Sequence, residues 1–187
     1  MEAATSFVVF CWIAIVVVWV ILALWVKRTK ERQPLFSRLI YLMLTVVVVV
    51  LLNGGVRKAN LTRSVLPHTL AIAILADLLV LVGFIISVWA RIVLGRNWSA
   101  RVTLKEDHQL IQRGPYRFVR HPIYSGLLVM ILGTAVLAGQ VTGFVALLFC
   151  FCGFWIKLQQ EQALLKKRLP GYSEYMARTK ALVPFLF

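Results

Sequence analysis

Residues 114–133, GPYRFVRHPIYSGLLVMILG, decide how this chain reads. A strongly apolar run begins directly after Arg117, Arg120 and His121, with a proline at its first position. Proline suits the first residue of a helix, where its missing N–H needs no intrahelical partner. It also holds the preceding residue out of the helical conformation. His121 is therefore the expected cap of a helix starting at Pro122, and the N–H groups of its first turn make an anion site. Tyr124 lies one turn later on a related face. Gly114-Pro115 forces a turn upstream that brings Tyr116 back towards the helix end. The expected result is a pocket of imidazole, two phenols, guanidinium groups and N–H donors where cytosol meets lipid. Interfacial anchoring by Tyr, Arg and His produces the same pattern, and the residues alone leave the two readings level.

Composition identifies the solvent. The chain has 187 residues, 60% of them hydrophobic, and a mean hydropathy of +0.83. A soluble domain is nearer half apolar. Apolar runs occupy 6–26, about 35–55, 69–90, 122–138 and 141–156. Crossing a bilayer takes about 20 such residues, with about 17 tolerated. The first and third runs suffice; the second is interrupted by Ser37, Arg38 and Asn53. The last two are short and separated only by Gly139 and Gln140, so they predict a tight helical hairpin. The expectation is an all-α integral membrane protein of about five transmembrane helices, with a cytosolic C-terminal cofactor pocket.

The net charge of +14 raises nucleic-acid binding, which its distribution excludes. Five basic residues lie between Lys27 and Arg38, three between Arg57 and Arg63, seven between Arg91 and Arg120, and six from Lys157 onward. The turn at 139–140 has none. With alternating helices the rich segments fall on one side, which the positive-inside rule makes cytoplasmic. The N-terminus is then outside and the C-terminus cytosolic. The first run carries its basic residues after it, the reverse of a cleavable signal peptide, and reads as a retained anchor. The basic excess suits anionic membrane lipids, whereas groove or strand binding needs a soluble basic face with base-contacting groups. Cys11, Cys150 and Cys152 all lie in apolar runs, and no spacing resembles a zinc site, so no metal is expected.

Residues 1–187 read as one membrane domain. Its first 90 residues form a three-helix scaffold, and 91–187 a catalytic half with a helical hairpin over 122–156 and an amphipathic tail. The tail continues the last helix, breaks at Pro170-Gly171 and ends in Val183-Pro184-Phe185-Leu186-Phe187, which could lie along the membrane interface. Asp77 is the one carboxylate inside a scaffold helix. Intramembrane acids often mark function, but no second acid or histidine at that depth offers a relay, so Asp77 reads as structural, bonded to a neighbour. Lys157 and Glu161, four apart at the cytosolic end of the last helix, share a face. Lys before Glu is the less favourable order for an ion pair, and the two could bind opposite charges on two different ligands.

NWSARVTLKEDHQLIQRGPYRFVRHPIYSG (97–126) followed by KLQQEQALLKKRLPGYSEYM (157–176) resembles the isoprenylcysteine carboxyl methyltransferase family, within a wider group that includes phospholipid methyltransferases. The pattern is His-x-Leu, Gly-x-Tyr, Arg-His-Pro-x-Tyr and then a Glu-Glu pair before an amphipathic tail, over roughly 95–180. The resemblance implies an S-adenosylmethionine-dependent methyltransferase. His108, Gln109, Leu110, Ile111, Tyr116, His121, Pro122, Ile123 and Tyr124 would line the cofactor pocket, with Arg101 contacting the cofactor from the preceding loop. Glu161 matches the first acid of the pair and would bind the cofactor. Lys157 matches an arginine that engages the substrate carboxylate, and with Tyr124 it is the expected catalytic group. Two positions depart from the pattern: Gln162 replaces the second Glu, and Lys157 lacks the fork of Arg. Carboxyl O-methylation of a prenylated cysteine or similar lipidic substrate, entering from the bilayer, is the leading reaction. Phospholipid N-methylation, an NADPH-dependent sterol-reductase-like activity and a non-catalytic membrane role are the alternatives.

Overall fold

The computed structural model describes residues 2–24, 63–98 and 110–184. The apolar run at about 35–55 and the candidates Arg101, His108 and Gln109 lie outside them. The described helices are α1 (Glu2–Ala23), α2 (Leu70–Leu94), α3 (Pro122–Ala138), α4 (Val141–Arg168) and α5 (Tyr172–Arg178), with short 3₁₀ turns at Gly95–Asn97 and Gly114–Arg117. Helices α1, α2 and α4 are long and apolar enough to cross a membrane. The protein is an all-α integral membrane protein.

Sequence chemistry marks the helix ends. Thr69 caps α2 by accepting from Ile72 N. Pro122 stands at the first position of α3 with His121 as its cap (φ −126°, ψ 57°), as expected. The hairpin turns at Gly139, whose φ of 63° favours glycine. Gly139 O also accepts from Val65 and Leu66 N–H, which holds the segment entering α2 against the turn. Helix α4 does not stop where its apolar run does. It continues through Lys157 and Glu161 to Arg168, carrying these side chains rigidly past the end of the apolar layer.

In lipid, helix association rests on close packing and polar contacts, because the tails are as apolar as leucine. The α2–α3 interface shows this. A Cβ on Gly126 would sit 2.3 Å from Ser87 Oγ and 2.6 Å from Gly83 O, so the backbones meet only because that side chain is missing. Helix α1 contributes the stripe Ala4, Val8, Cys11 and Ile15, at helical spacing. Trp12 Nε1 donates to Thr134 Oγ1 of α3 at 3.1 Å. Its other face exposes Val9, Phe10, Ile13, Val16, Val17 and Val20, which suits contact with acyl chains. Arg91, 1% exposed, donates to Leu22 O (2.7 Å) and Gly95 O (2.9 Å). It thereby satisfies carbonyls at the C-terminal ends of both α1 and α2, groups a helix leaves open.

The chain breaks at Pro170-Gly171 as expected, and α5 follows. Residues 180–182 then turn back along the segment before α3: Arg120 N donates to Lys180 O and His121 N to Ala181 O. Ser125 Oγ adds a bond to Leu182 O. The tail up to Leu182 is thus built into the protein beside the helix start, while residues 185–187 lie outside the described residues.

Candidate active site

A cavity of about 310 Å³ lies where α3 begins and α4 leaves the apolar layer. Leu110, Ile111, Tyr116, His121, Ile123, Tyr124, Lys157 and Glu161 all line it. Of the described candidates only Pro122 does not; it is buried and acts by starting α3.

Two side chains from the start of α3 converge on Glu161 of α4. Tyr124 OH donates to Glu161 Oε2 at 3.0 Å, and His121 Nδ1 stands 3.8 Å from the same oxygen. Both partners come from the start of α3, so the Arg-His-Pro-x-Tyr spacing brings a phenol donor and an imidazole to one carboxylate of α4. The rings form a continuous stack. His121 lies 5.4 Å from Tyr124 at 10°, and Tyr124 lies 5.0 Å from Phe154 at 13°. Lys157 Nζ sits 5.5 Å over the Tyr124 ring, within cation–π range. Lys157 and Glu161 therefore share the cavity face that their spacing predicted.

Burial, and then the charges of Arg120 and Lys157, push the His121 imidazole down to about 3. It is neutral at physiological pH, so its approach to Glu161 is not an ion pair. Its Nε2 lies 3.0 Å from Gln162 Nε2. Tyr116 and Tyr172 are raised above the ordinary tyrosine value, mainly by burial, and remain phenols. Arg120 is not a loose anion trap. Its Nη1 donates to Met176 O and Thr179 O in the tail, so one guanidinium expected to face ligand is partly a structural tie.

Residues absent from the sequence-based set complete the wall: Trp19, Asn97, Trp98, Phe154, Tyr172 and Tyr175. Trp19 belongs to the first ninety residues, so that half also shapes the cavity. Tyr175 OH donates to Tyr116 O at 2.6 Å, fastening α5 to the turn before α3. Burial lifts its phenol to about 12, against the lowering pull of the Arg120 charge and of Thr179. The Tyr172/Tyr175 pair after a Pro-Gly break was a usable signal, whereas nothing local marks Trp19. Two lining residues carry buried polar atoms without a partner among the described residues, Asn97 Oδ1 and Arg120 Nε. An acceptor and a donor there await hydrogen bonds, and buried polar groups normally have them.

Fold and cavity define the class: a multi-helix membrane protein with a small-molecule pocket at the polar ends of its helices, apolar on one side and charged on the other. The isoprenylcysteine carboxyl methyltransferase (ICMT) family model matches residues 73–167, just over half of the chain. The chain belongs to that family. It is 30% identical over 112 residues to an Oryza sativa subsp. indica protein named "Probable protein-S-isoprenylcysteine O-methyltransferase", a match covering 58% of this chain and 59% of that one. It is likewise 30% identical over 112 residues to protein-S-isoprenylcysteine O-methyltransferase B of Arabidopsis thaliana, covering 58% and 57%. A third relative is the cobalt-zinc-cadmium resistance protein CzcN of Cupriavidus metallidurans, 33% identical over 95 residues, 49% of this chain and 44% of that one. The chain thus spans less than two thirds of these relatives.

Proposed function

We propose that this protein is an S-adenosylmethionine-dependent methyltransferase that esterifies the carboxylate of a prenylated cysteine or similar lipidic acid. We read it as a single membrane domain whose catalytic half is 91–187, with the N-terminus outside and the cavity on the cytosolic side. The observation that carries the reading is the convergence of Tyr124 and His121 on Glu161 beside Lys157, in a cavity with apolar walls. Family membership supports the same reaction over a sterol-reductase-like one.

The donor set fits the cofactor. Glu161 accepts from Tyr124 at Oε2 and would offer its negative charge to an ammonium group. Asn97 Oδ1 and Arg120 Nε supply an open acceptor and donor, and Tyr116, Trp98 and Ile111 supply flat and apolar walls. When bound, S-adenosylmethionine supplies a methyl group on a positively charged sulfur. The chain's part is to hold the acceptor in line and keep water out. A carboxylate is already ionised at neutral pH, so no base need remove a proton. Lys157 would orient the acceptor carboxylate by charge, and its placement beside the cavity suits an anionic acceptor over a phospholipid amine. Leu127 and Phe154, inside the helical layer, line the same cavity and would let a lipid chain enter from the bilayer.

Calorimetric titration of S-adenosylhomocysteine into the detergent-purified protein, with radiolabelled methyl transfer to a farnesylcysteine analogue, tests this. Binding and ester formation are expected. Lys157→Met should keep cofactor affinity and reduce transfer, and Lys157→Arg should retain it. Full transfer by Lys157→Met would remove the carboxylate anchor and favour an uncharged or amine acceptor.

A further inference from the structure

We propose that Gln162 is a positioning residue of this cavity: its side-chain N–H holds His121 in the tautomer that carries its proton on Nδ1, aimed at Glu161. Neither ring nitrogen of His121 faces solvent freely, because the residue is 7% exposed and Gln162 is 6% exposed. On one side Nδ1 faces Glu161 Oε2 at 3.8 Å, and a carboxylate can only accept. On the other side Nε2 meets Gln162 Nε2 at 3.0 Å, and an amide nitrogen can only donate. The Gln162 contact requires a bare Nε2, which leaves the proton of the neutral ring on Nδ1, the side that faces Glu161.

The ring has little freedom to evade this. Its backbone is tied at both ends, with His121 N bonded to Ala181 O and His121 O accepting from Ser125 N. Its face is stacked on Tyr124. The charged groups acting on it are Arg120 beside it in the chain and Lys157 and Glu161 from α4. The two cations oppose a second proton, and burial does so more strongly.

The choice of amide matters because Gln162 stands where the family's Glu-Glu pattern has its second acid. A glutamate there could only accept, so Nε2 would have to carry a proton. Nδ1 would then turn a lone pair towards Glu161, or the ring would become an imidazolium between two carboxylates. With glutamine the ring stays neutral and Glu161 keeps its N–H neighbour, so ligand binding at Glu161 has no imidazole titration attached to it. The binding part of this inference rests on the proposed cofactor role of Glu161; the tautomer part does not.

The test uses the full chain in detergent, labelled with ¹⁵N-histidine. The His121 ring signals are identified by their loss in His121→Asn, which separates them from His68 and His108. Wild type is expected to show a single tautomer protonated at Nδ1, unchanged between pH 5.5 and 8. Gln162→Glu should move the proton to Nε2 or protonate both nitrogens. Its S-adenosylhomocysteine affinity should become pH-dependent, by up to roughly tenfold per pH unit, while wild type stays flat. Gln162→Met, similar in volume and without a donor, should lose the single-tautomer signature and guards against misfolding of the charged variant. An Nε2–H ring in wild type, or an unaltered Nδ1–H signature in Gln162→Met, would overturn the proposal. Failure of wild type to bind S-adenosylhomocysteine would instead sink the methyltransferase reading, with the ring spectrum still deciding the role of Gln162.

Discussion

Asp77 and Glu161 are both carboxylates on apolar helices, and their surroundings differ completely. Asp77 sits in the middle of α2, and its Oδ1 has no hydrogen-bond partner among the described residues. Glu161 sits past the apolar part of α4 with Tyr124 donating to it, His121 beside it and Lys157 one turn away. Among the described residues nothing bonds Asp77 Oδ1, whereas the carboxylate of Glu161 accepts from Tyr124. The helix ends bring side chains of α3 and α4 together around Glu161. An acid becomes a site through what converges on it, and convergence occurs here only where α4 outruns the membrane layer.

The largest expected effect separates the two acids. Glu161→Gln removes the charge proposed to hold the cofactor ammonium. A hydrogen bond to a charged group is worth about 1.5–3 kcal/mol, so S-adenosylhomocysteine should bind roughly 10- to 150-fold more weakly. Asp77→Asn should leave affinity within about twofold. Calorimetry on both variants decides, and equal losses would erase the distinction.

The scaffold has its own sensitive point. Gly126→Ala places a methyl group where Ser87 Oγ and Gly83 O already stand. Overpacking of this kind costs about 1–3 kcal/mol, which should appear as a lower thermal midpoint in detergent. An unchanged midpoint would mean that α2 and α3 separate easily.

The pH dependence follows from His121. Its folded value of about 3 lies below the ordinary 6.5, so between these values the unfolded chain binds a proton that the folded one refuses. Its contribution to stability is intact above about 6.5 and is lost as pH falls, at up to about 1.4 kcal/mol per unit. Denaturation of wild type and His121→Gln at pH 7.5 and 5.5 isolates this, since only the difference between their slopes belongs to the imidazole. Parallel slopes would mean that the ring is already hydrated.

The smallest effect is expected at Tyr175→Phe, which removes one bond to Tyr116 O and should cost about 0.5–1.5 kcal/mol. Because that bond fastens α5 to the cavity wall, cofactor affinity should fall slightly with stability. A variant that loses neither would show that the tail is held by its backbone pairing alone.

Much of the molecule could be read from the chain. Apolar run lengths predicted α1, α2 and the α3–α4 hairpin, because a bilayer imposes a minimum length on any crossing helix. Pro122, Gly139 and Pro170-Gly171 marked their boundaries, because backbone restrictions act within a residue or two of their cause. The pairing of Lys157 with Glu161 was equally legible, since helical spacing alone puts them on one face. Tertiary structure decided the rest. That the chain after α5 turns back beside the start of α3 depends on the backbone bonds of Arg120 and His121 to Lys180 and Ala181. That Trp19 reaches the cavity depends on how α1 leans on α2 and α3. The carboxylate that Tyr124 and His121 face, and the nitrogen of the imidazole that Gln162 occupies, depend on the register between α3 and α4. Such contacts join residues about forty positions apart, and no local rule of propensity or spacing specifies their geometry; packing between α3 and α4, tight at Gly143 against Ala135, does.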